Sequence, residues 1–184
     1  MKKRCEWAKD EPNTTYHDDE WGVPLHDDVG LFEFLILEGA QAGLSWSTIL
    51  NRRNGYRIAF SNFDVVAVSK YTQADVKKLV ENKNIIRNKL KINSAINNAK
   101  QFIKIQKEFG SFDEYLWGFV NHKPIKNKFK KHSDLPCSSI ISEKLSQDLK
   151  KHGFTFVGPI ICYALMQAVG MVDDHTSDCF KYSK

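Results

Sequence analysis

Two Cys-and-His pairs stand at opposite ends of this 184-residue chain, and they constrain its fold more than any other feature. Cys5 and His17 lie in the first polar segment, while His175 and Cys179, with three residues between them, lie near the last residue. Two thiolates and two imidazoles form the donor set that Zn²⁺ prefers in a closed, tetrahedral, structural site. The His175/Cys179 half presents both donors on one turn, whereas the Cys5/His17 half needs a loop that folds back. A metal held there would tie one end of the chain to the other and hold Trp7 and Tyr16 rigidly. The spacing is not the compact C-x2-C pairing that reads as zinc on its own, so four unrelated side chains remain the competing reading.

The length suits one compact domain, residues 1–184, with a core of useful size. Hydrophobic residues make up 42% and charged residues 27%, as in an ordinary soluble chain. No apolar run approaches membrane-spanning length, and the polar, lysine-rich start is unlike a secretory signal. Four irregularly placed cysteines do not make a secreted disulfide framework, so a reduced cytoplasmic setting is expected, with Cys162 an inert core thiol. Nothing marks an oligomer interface, and a monomer is the expectation. The net charge of +5 is unevenly placed: the first 28 residues are acid-rich, while Lys77–Lys91 and Lys123–Lys131 are basic. Basic patches on a nearly balanced chain suit a polyanion such as DNA, although a solvated lysine-rich surface has the same composition.

Nearly every segment reads as helix, and no convincing alternating strand appears, so the fold class is all-α. A densely apolar run from Leu31 to Ala42 follows Asp27-Asp28, a candidate N-cap region. Asp64 precedes Val65–Val68, and Thr72-x-x-Asp75 forms a capping box before Val76–Val80. Ile92, Ala95, Ile96, Ala99, Phe102 and Ile103 share one helical face that Gly110 terminates. Ser111-x-x-Glu114 is a second capping box; an amphipathic stretch from Ser142 to His152 ends at Gly153; Pro159 opens a buried helix that Gly170 closes. The segment from Asn121 to Ser139 is the longest loop expected.

Two segments carry chemistry. Glu38 follows an apolar run with no basic neighbour at helical spacing, so its carboxylate either meets water at a helix end or lines a pocket for a cation. Gly39 and Gly43 would let a ligand approach, and Trp46 could stack on it. Between residues 76 and 99, two helices flank the polar break Asn82–Asn88. Amides at the second helix's N-terminus, with Lys and Arg alongside, can cradle a DNA phosphate; an ordinary αα-hairpin that only packs reads the same way.

Taken together, these residues are similar to the bacterial DNA-3-methyladenine glycosylases of type I, nearly end to end. The resemblance is carried by Tyr16–Pro24, Leu37–Trp46, Ile85-Ile86-Arg87, Phe119–Pro124, Gly153–Gly158, and Asp174-His175 with Cys179. It implies a helix-hairpin-helix glycosylase with its hairpin at about 76–99, which extrudes N3-methyladenine from alkylated double-stranded DNA and cleaves its N-glycosidic bond. Free 3-methyladenine and an abasic site are the products. The resemblance further implies one structural zinc on Cys5, His17, His175 and Cys179. Glu38 and Tyr16 would then hydrogen-bond the base, Trp46 would stack on it, and Trp7 and Trp21 would complete the aromatic walls. Gln41, Gly43 and Leu44 match the loop that fills the space the lesion vacates. A zinc-stabilised lesion-binding module without turnover is the alternative.

Two positions depart from that pattern. The hairpin turn favours glycine, yet Asn82, Lys83 and Asn84 stand here, and Asn is expected to adopt the left-handed conformation instead. In Val172-Asp173-Asp174-His175 a carboxylate occupies a place where type I enzymes usually lack one, and Asp173 is expected to assist the reaction.

Overall fold

Each segment with apolar residues at helical spacing is a helix in the structure, a computed structural model that describes residues 2–182; Met1, Ser183 and Lys184 lie outside the described residues. The first half runs α1 (Asn13–Asp19), α2 (Asp28–Gln41), α3 (Trp46–Leu50), α4 (Arg53–Ala59) and α5 (Val65–Ser69). The hairpin follows as α6 (Gln73–Glu81) and the long α7 (Lys89–Phe109), and then α8 (Phe112–Gly118). After β1 (Ile125–Lys126) come α9 (Ile140–Lys151), α10 (Pro159–Ala168) and β2 (Val172–Asp173). No helix among the described residues is long and apolar enough to cross a membrane.

Helix α2 is the axis of the core, buried continuously from Leu31 to Ala40 and packed against α3, α7, α8 and α10. Phe32 meets Phe102 of α7 edge-on at 5.2 Å, and Phe102 stacks on Phe112 of α8 at 4.0 Å. Each such side chain contributes roughly 1.5–3 kcal/mol on burial. Polar groups fix where α2 begins. Asp27 caps it by accepting from Gly30 N, as the sequence predicts. Asp28 reaches across to accept from the Phe112 and Asp113 amides of α8. The Ser111 hydroxyl accepts from Glu114 N, as expected, while the Phe112 and Asp113 amides go to Asp28.

The other end of α2 is held by the hairpin. Lys91 turns inward from the first turn of α7, and its ammonium donates to the carbonyl oxygens of Ala40 and Ala42 at 2.8 and 2.7 Å. A cation on the last carbonyls of a helix complements its dipole. Some of the groups that the sequence offers to a phosphate are therefore engaged within the protein. Lys91 is committed to α2, and the Leu90 and Lys91 amides are taken by the Asn88 side chain.

The hairpin also turns without left-handed residues. Asn82 is extended, and its side-chain oxygen accepts from Asn84 N at 2.9 Å. The demand for glycine moves to α4, which packs beneath the turn: a Cβ on Gly55 would lie 2.2 Å from the Asn84 carbonyl oxygen. Tyr56, next along α4, accepts from Ile86 N through its hydroxyl.

One parallel pair, Ile125 with Val172 and Lys126 with Asp173, departs from the strand-free expectation. Two residues per strand are too few to show alternation. The pairing matters because it pins the basic loop after α8 to the chain leaving α10. Gly55→Ala is expected to cost about 1–3 kcal/mol through overpacking at Asn84, measured as a lowered urea midpoint.

Candidate active site

Four elements converge on a cavity of about 240 Å³. Helix α1 brings Tyr16, the last turn of α2 brings Glu38 and Gln41, the start of α3 brings Trp46, and α10 brings Ala164 and Gln167. Trp7 and Trp21 close one side, and His132 and Leu135 of the basic loop reach the rim. The walls are aromatic and set at angles to one another. Tyr16 and Trp46 have ring centroids 5.3 Å apart at 53°, and Trp7 meets Trp21 edge-on at 5.1 Å. All five residues the sequence analysis assigned to the pocket, Glu38, Tyr16, Trp46, Trp7 and Trp21, thus line one space. Leu44 lies beside it, on a neighbouring groove shared with Gln41, Gly43 and Ile160.

Two polar atoms here are buried with no partner: Glu38 Oε2 and Trp46 Nε1. Buried groups of this kind are rare, because an unmade hydrogen bond keeps the full cost of desolvation. Glu38 is 4% exposed, and burial pushes its carboxyl up to about 8. Tyr16 is pushed well above its ordinary value by burial and by the nearby Glu38. An acceptor and a donor left open inside an aromatic box describe a site for a flat, polar, preferably cationic guest.

Behind the Trp7–Trp21 wall the two ends of the chain meet. Donor atoms of Cys5, His17 and Cys179 all lie within 4.8 Å of one another, buried, and this group is able to hold a metal ion. Each histidine here is oriented by a carboxylate. Asp18, held down to about 2 by its hydrogen bonds to the Arg4 guanidinium, lies 2.8 Å from His17 Nδ1. An ionised carboxylate only accepts, so Nδ1 carries the proton and Nε2 is left with its lone pair, 3.4 Å from Cys179 Sγ. His175 stands outside the three-residue group, with Nδ1 2.7 Å from Asp173 Oδ1 and with Nε2 buried and unpartnered. Asp173 accordingly faces His175; it is not among the residues lining the cavity.

Comparison with known proteins bears on the whole chain. The sequence pattern of the methyladenine glycosylase family matches residues 7–182. The chain belongs to that family. It is 44% identical to DNA-3-methyladenine glycosylase 1 of Escherichia coli strain K12 over 181 residues, covering 98% of this chain and 97% of that one. A solved structure of 3-methyladenine DNA glycosylase I superposes with a TM-score of 0.96 at 41% identity, covering 98% of this chain and all of the other. A variant of 3-methyladenine DNA glycosylase I, solved in complex with 3-methyladenine, superposes at 0.95 with 36% identity and 98% coverage of each chain.

In this methyladenine glycosylase, sequence reasoning missed the far wall of the cavity. Ala164 and Gln167 were readable only as parts of an apolar helix, although their spacing of three places them on one face. His132 and Leu135 carried no signal at all, since a loop's tertiary position has no periodicity. The unpaired carboxyl itself makes a measurable prediction. Between about pH 4.5 and pH 8 the folded chain retains a Glu38 proton that the unfolded chain releases. Stability then falls as pH rises through that window. Glu38→Gln removes this contribution. Parent and variant should unfold together in urea near pH 4.5 and diverge by pH 8, where the variant is the more stable by roughly 2–5 kcal/mol.

Proposed function

We propose that this methyladenine glycosylase excises N3-methyladenine from alkylated duplex DNA by hydrolysing the bond between the base and C1′ of its sugar. The buried, unpartnered carboxyl of Glu38 at the floor of an aromatic cavity carries the reading. Methylation at N3 makes the nucleobase cationic, and a cation beside Glu38 draws its proton off, because the charged pair is stronger than either neutral partner in a low-dielectric site. Trp46 stacks on the base, Tyr16 and Glu38 hydrogen-bond its edge, and Trp7 and Trp21 complete the walls. A base inside a duplex cannot enter, so it is extruded at a cost of a few kcal/mol, least for a damaged pair.

The chemistry then needs little from the protein. As the glycosidic bond breaks, its electron pair neutralises the cationic base, which departs as neutral 3-methyladenine. Water adds to C1′ and loses a proton, leaving an abasic site. Glu38 is the catalytic group in the sense that its negative charge holds the cation in place.

The hairpin of α6 and α7 acts as the helix-hairpin-helix contact to the DNA backbone, through Arg87, Lys89 and Lys83. Cys5, His17, His175 and Cys179 hold one zinc ion. The fit rests on the unpartnered Nε2 of His175, on His17 Nε2 facing Cys179 Sγ at 3.4 Å, each ring being set by a carboxylate on its opposite nitrogen, and on two buried cysteines. Burial, with a further push from the neighbouring Cys179, raises the Cys5 thiol to about 12, so a cation is what would favour its ionised form there. When bound, zinc supplies a structural cross-link. The protein residues do the rest: His17 anchors α1 and thereby sets Tyr16 against the pocket. The chain works as a single domain and as a cytoplasmic monomer.

Chromatography of the bases released from methylated duplex DNA tests the activity. Release of 3-methyladenine with 7-methylguanine left in place is expected, and Glu38→Gln should lower single-turnover release by about 10²-fold or more. A folded protein that binds the DNA but releases nothing would instead be a lesion-binding module. Zinc is tested separately by Cys5→Ser, which should lose about one zinc per chain and melt at lower temperature than the parent.

A further inference from the structure

Asp174 is a buried carboxylate that the chemistry above leaves unused. Three side chains converge on it: Asn127 donates to Oδ1 at 2.7 Å, while the Tyr163 hydroxyl and Gln167 Nε2 donate to Oδ2 at 2.8 and 2.7 Å. Tyr163 and Gln167 stand one turn apart on α10, and Asn127 follows β1, so the cluster joins the loop strand to the helix that walls the cavity.

The consequence falls on Gln167. A side-chain amide can usually turn over, exchanging its donor and acceptor ends. Here the NH₂ group is taken by a carboxylate oxygen that can only accept, and a reversed amide would set two oxygens against each other. The Gln167 main chain is fixed as well, its carbonyl accepting from Gly22 N at 3.0 Å. Gln167 lines the cavity on the same face as Ala164, and with its nitrogen engaged it has a carbonyl oxygen to give to a guest.

We propose that Gln167, oriented by Asp174, is a specificity-determining residue whose Oε1 accepts from the exocyclic amino group of the extruded adenine and rejects N3-methylated guanine. This rests on the excision reading above and adds to it. Guanine carries a carbonyl where adenine carries the amino group, so a fixed acceptor there attracts one purine and repels the other. Glu38 cannot supply that selection alone. Its carboxyl donates when protonated and accepts when ionised, and the Tyr16 hydroxyl also works both ways. Trp46 offers only a donor. Gln167 is the group in this pocket whose role its surroundings set to acceptance.

The test is single-turnover release of 3-methyladenine and 3-methylguanine from the same methylated duplex, by the parent and by Gln167→Met, which keeps the length of the side chain and removes the amide. The parent should favour 3-methyladenine, and the variant should narrow that ratio by about tenfold, through slower adenine release. An unchanged ratio overturns the proposal, and so does an equal slowing of both bases, which is what a merely structural role predicts. Gln167→Ala, which leaves room for water at Asp174, must narrow the ratio in the same way and serves if the Met variant does not fold. Tryptophan-fluorescence titration with free 3-methyladenine and free 3-methylguanine scores the same preference without turnover. A parent that releases neither base but binds the adenine form preferentially, with the preference lost in Gln167→Met, sinks the excision reading and keeps this one. Equal binding of the two bases by the parent sinks the role of Gln167.

Discussion

An unpaired carboxyl at the end of a buried helix is the constraint around which this structure is arranged. Glu38 sits in the last turn of α2, where the helix dipole already disfavours negative charge, and burial pushes it up to about 8. It is 4% exposed and meets solvent only through the cavity, because α2 is packed against α3, α7, α8 and α10. Lys91 relieves the same helix end by binding the carbonyls of Ala40 and Ala42, but it stops at the main chain and leaves the carboxyl unpaired. Trp46 adds an unpartnered N–H within the same cavity. No protein group satisfies either of them, so a guest that pairs with both gains hydrogen bonds there.

Such a site is useful only if its walls cannot collapse onto it, and the ion pairs and carboxylate clamps are placed to prevent that. Arg53 of α4 bridges Glu33 of α2 at 2.6 Å and Glu20, after α1, at 2.7 Å, fixing the two helices that bear Tyr16 and Glu38. With its side chain largely buried, this arginine takes more from its partners than an exposed pair would, and deletion of one member would leave a buried charge uncompensated. Asp18, Asp173 and Asp174 do a subtler thing: each determines which atom of a neighbouring ring or amide points away from it. Hydrogen-bond polarity, rather than bulk packing, sets what the cavity and the Cys–His cluster offer.

Legibility in the sequence follows the same division. Helices with strong periodicity and local caps were readable because their signals lie within four residues: Asp64, Thr72 with Asp75, Ser111 and Gly110 all act where they were expected. Glu38 could be singled out because a charge without helical neighbours is anomalous in itself. Contacts across long sequence separations were not readable. Asp28 capping α8, Lys91 capping α2 and Gly55 making room for Asn84 join positions 84, 51 and 29 residues apart or thereabouts, and no local pattern announces them. Gln167 was hidden for a related reason, since its meaning comes from Asp174, and Asp174 matters only once α10 and β2 fold back together. Asp173 was expected at the reaction and instead stands against His175.

The raised carboxyl also explains how a pocket with so little catalytic apparatus can be selective. On the proposed reading, Glu38 holds its proton at neutral pH, so a neutral adenine that is extruded meets a neutral acid and gains no charge pairing. Extrusion of an undamaged, paired base costs the most, and stacking and neutral hydrogen bonds have to offset that cost without a charge pair. On the same reading, a methylated, cationic base costs less to extrude and converts the acid to its anion on entry, so two separate preferences act on the same molecule. Their free energies add, and the discrimination factors multiply. The same cation is already a good leaving group, and a normal adenine is not. Selectivity in binding is thereby aligned with selectivity in bond cleavage, and a strong general acid, which would accelerate loss of normal bases too, would work against both.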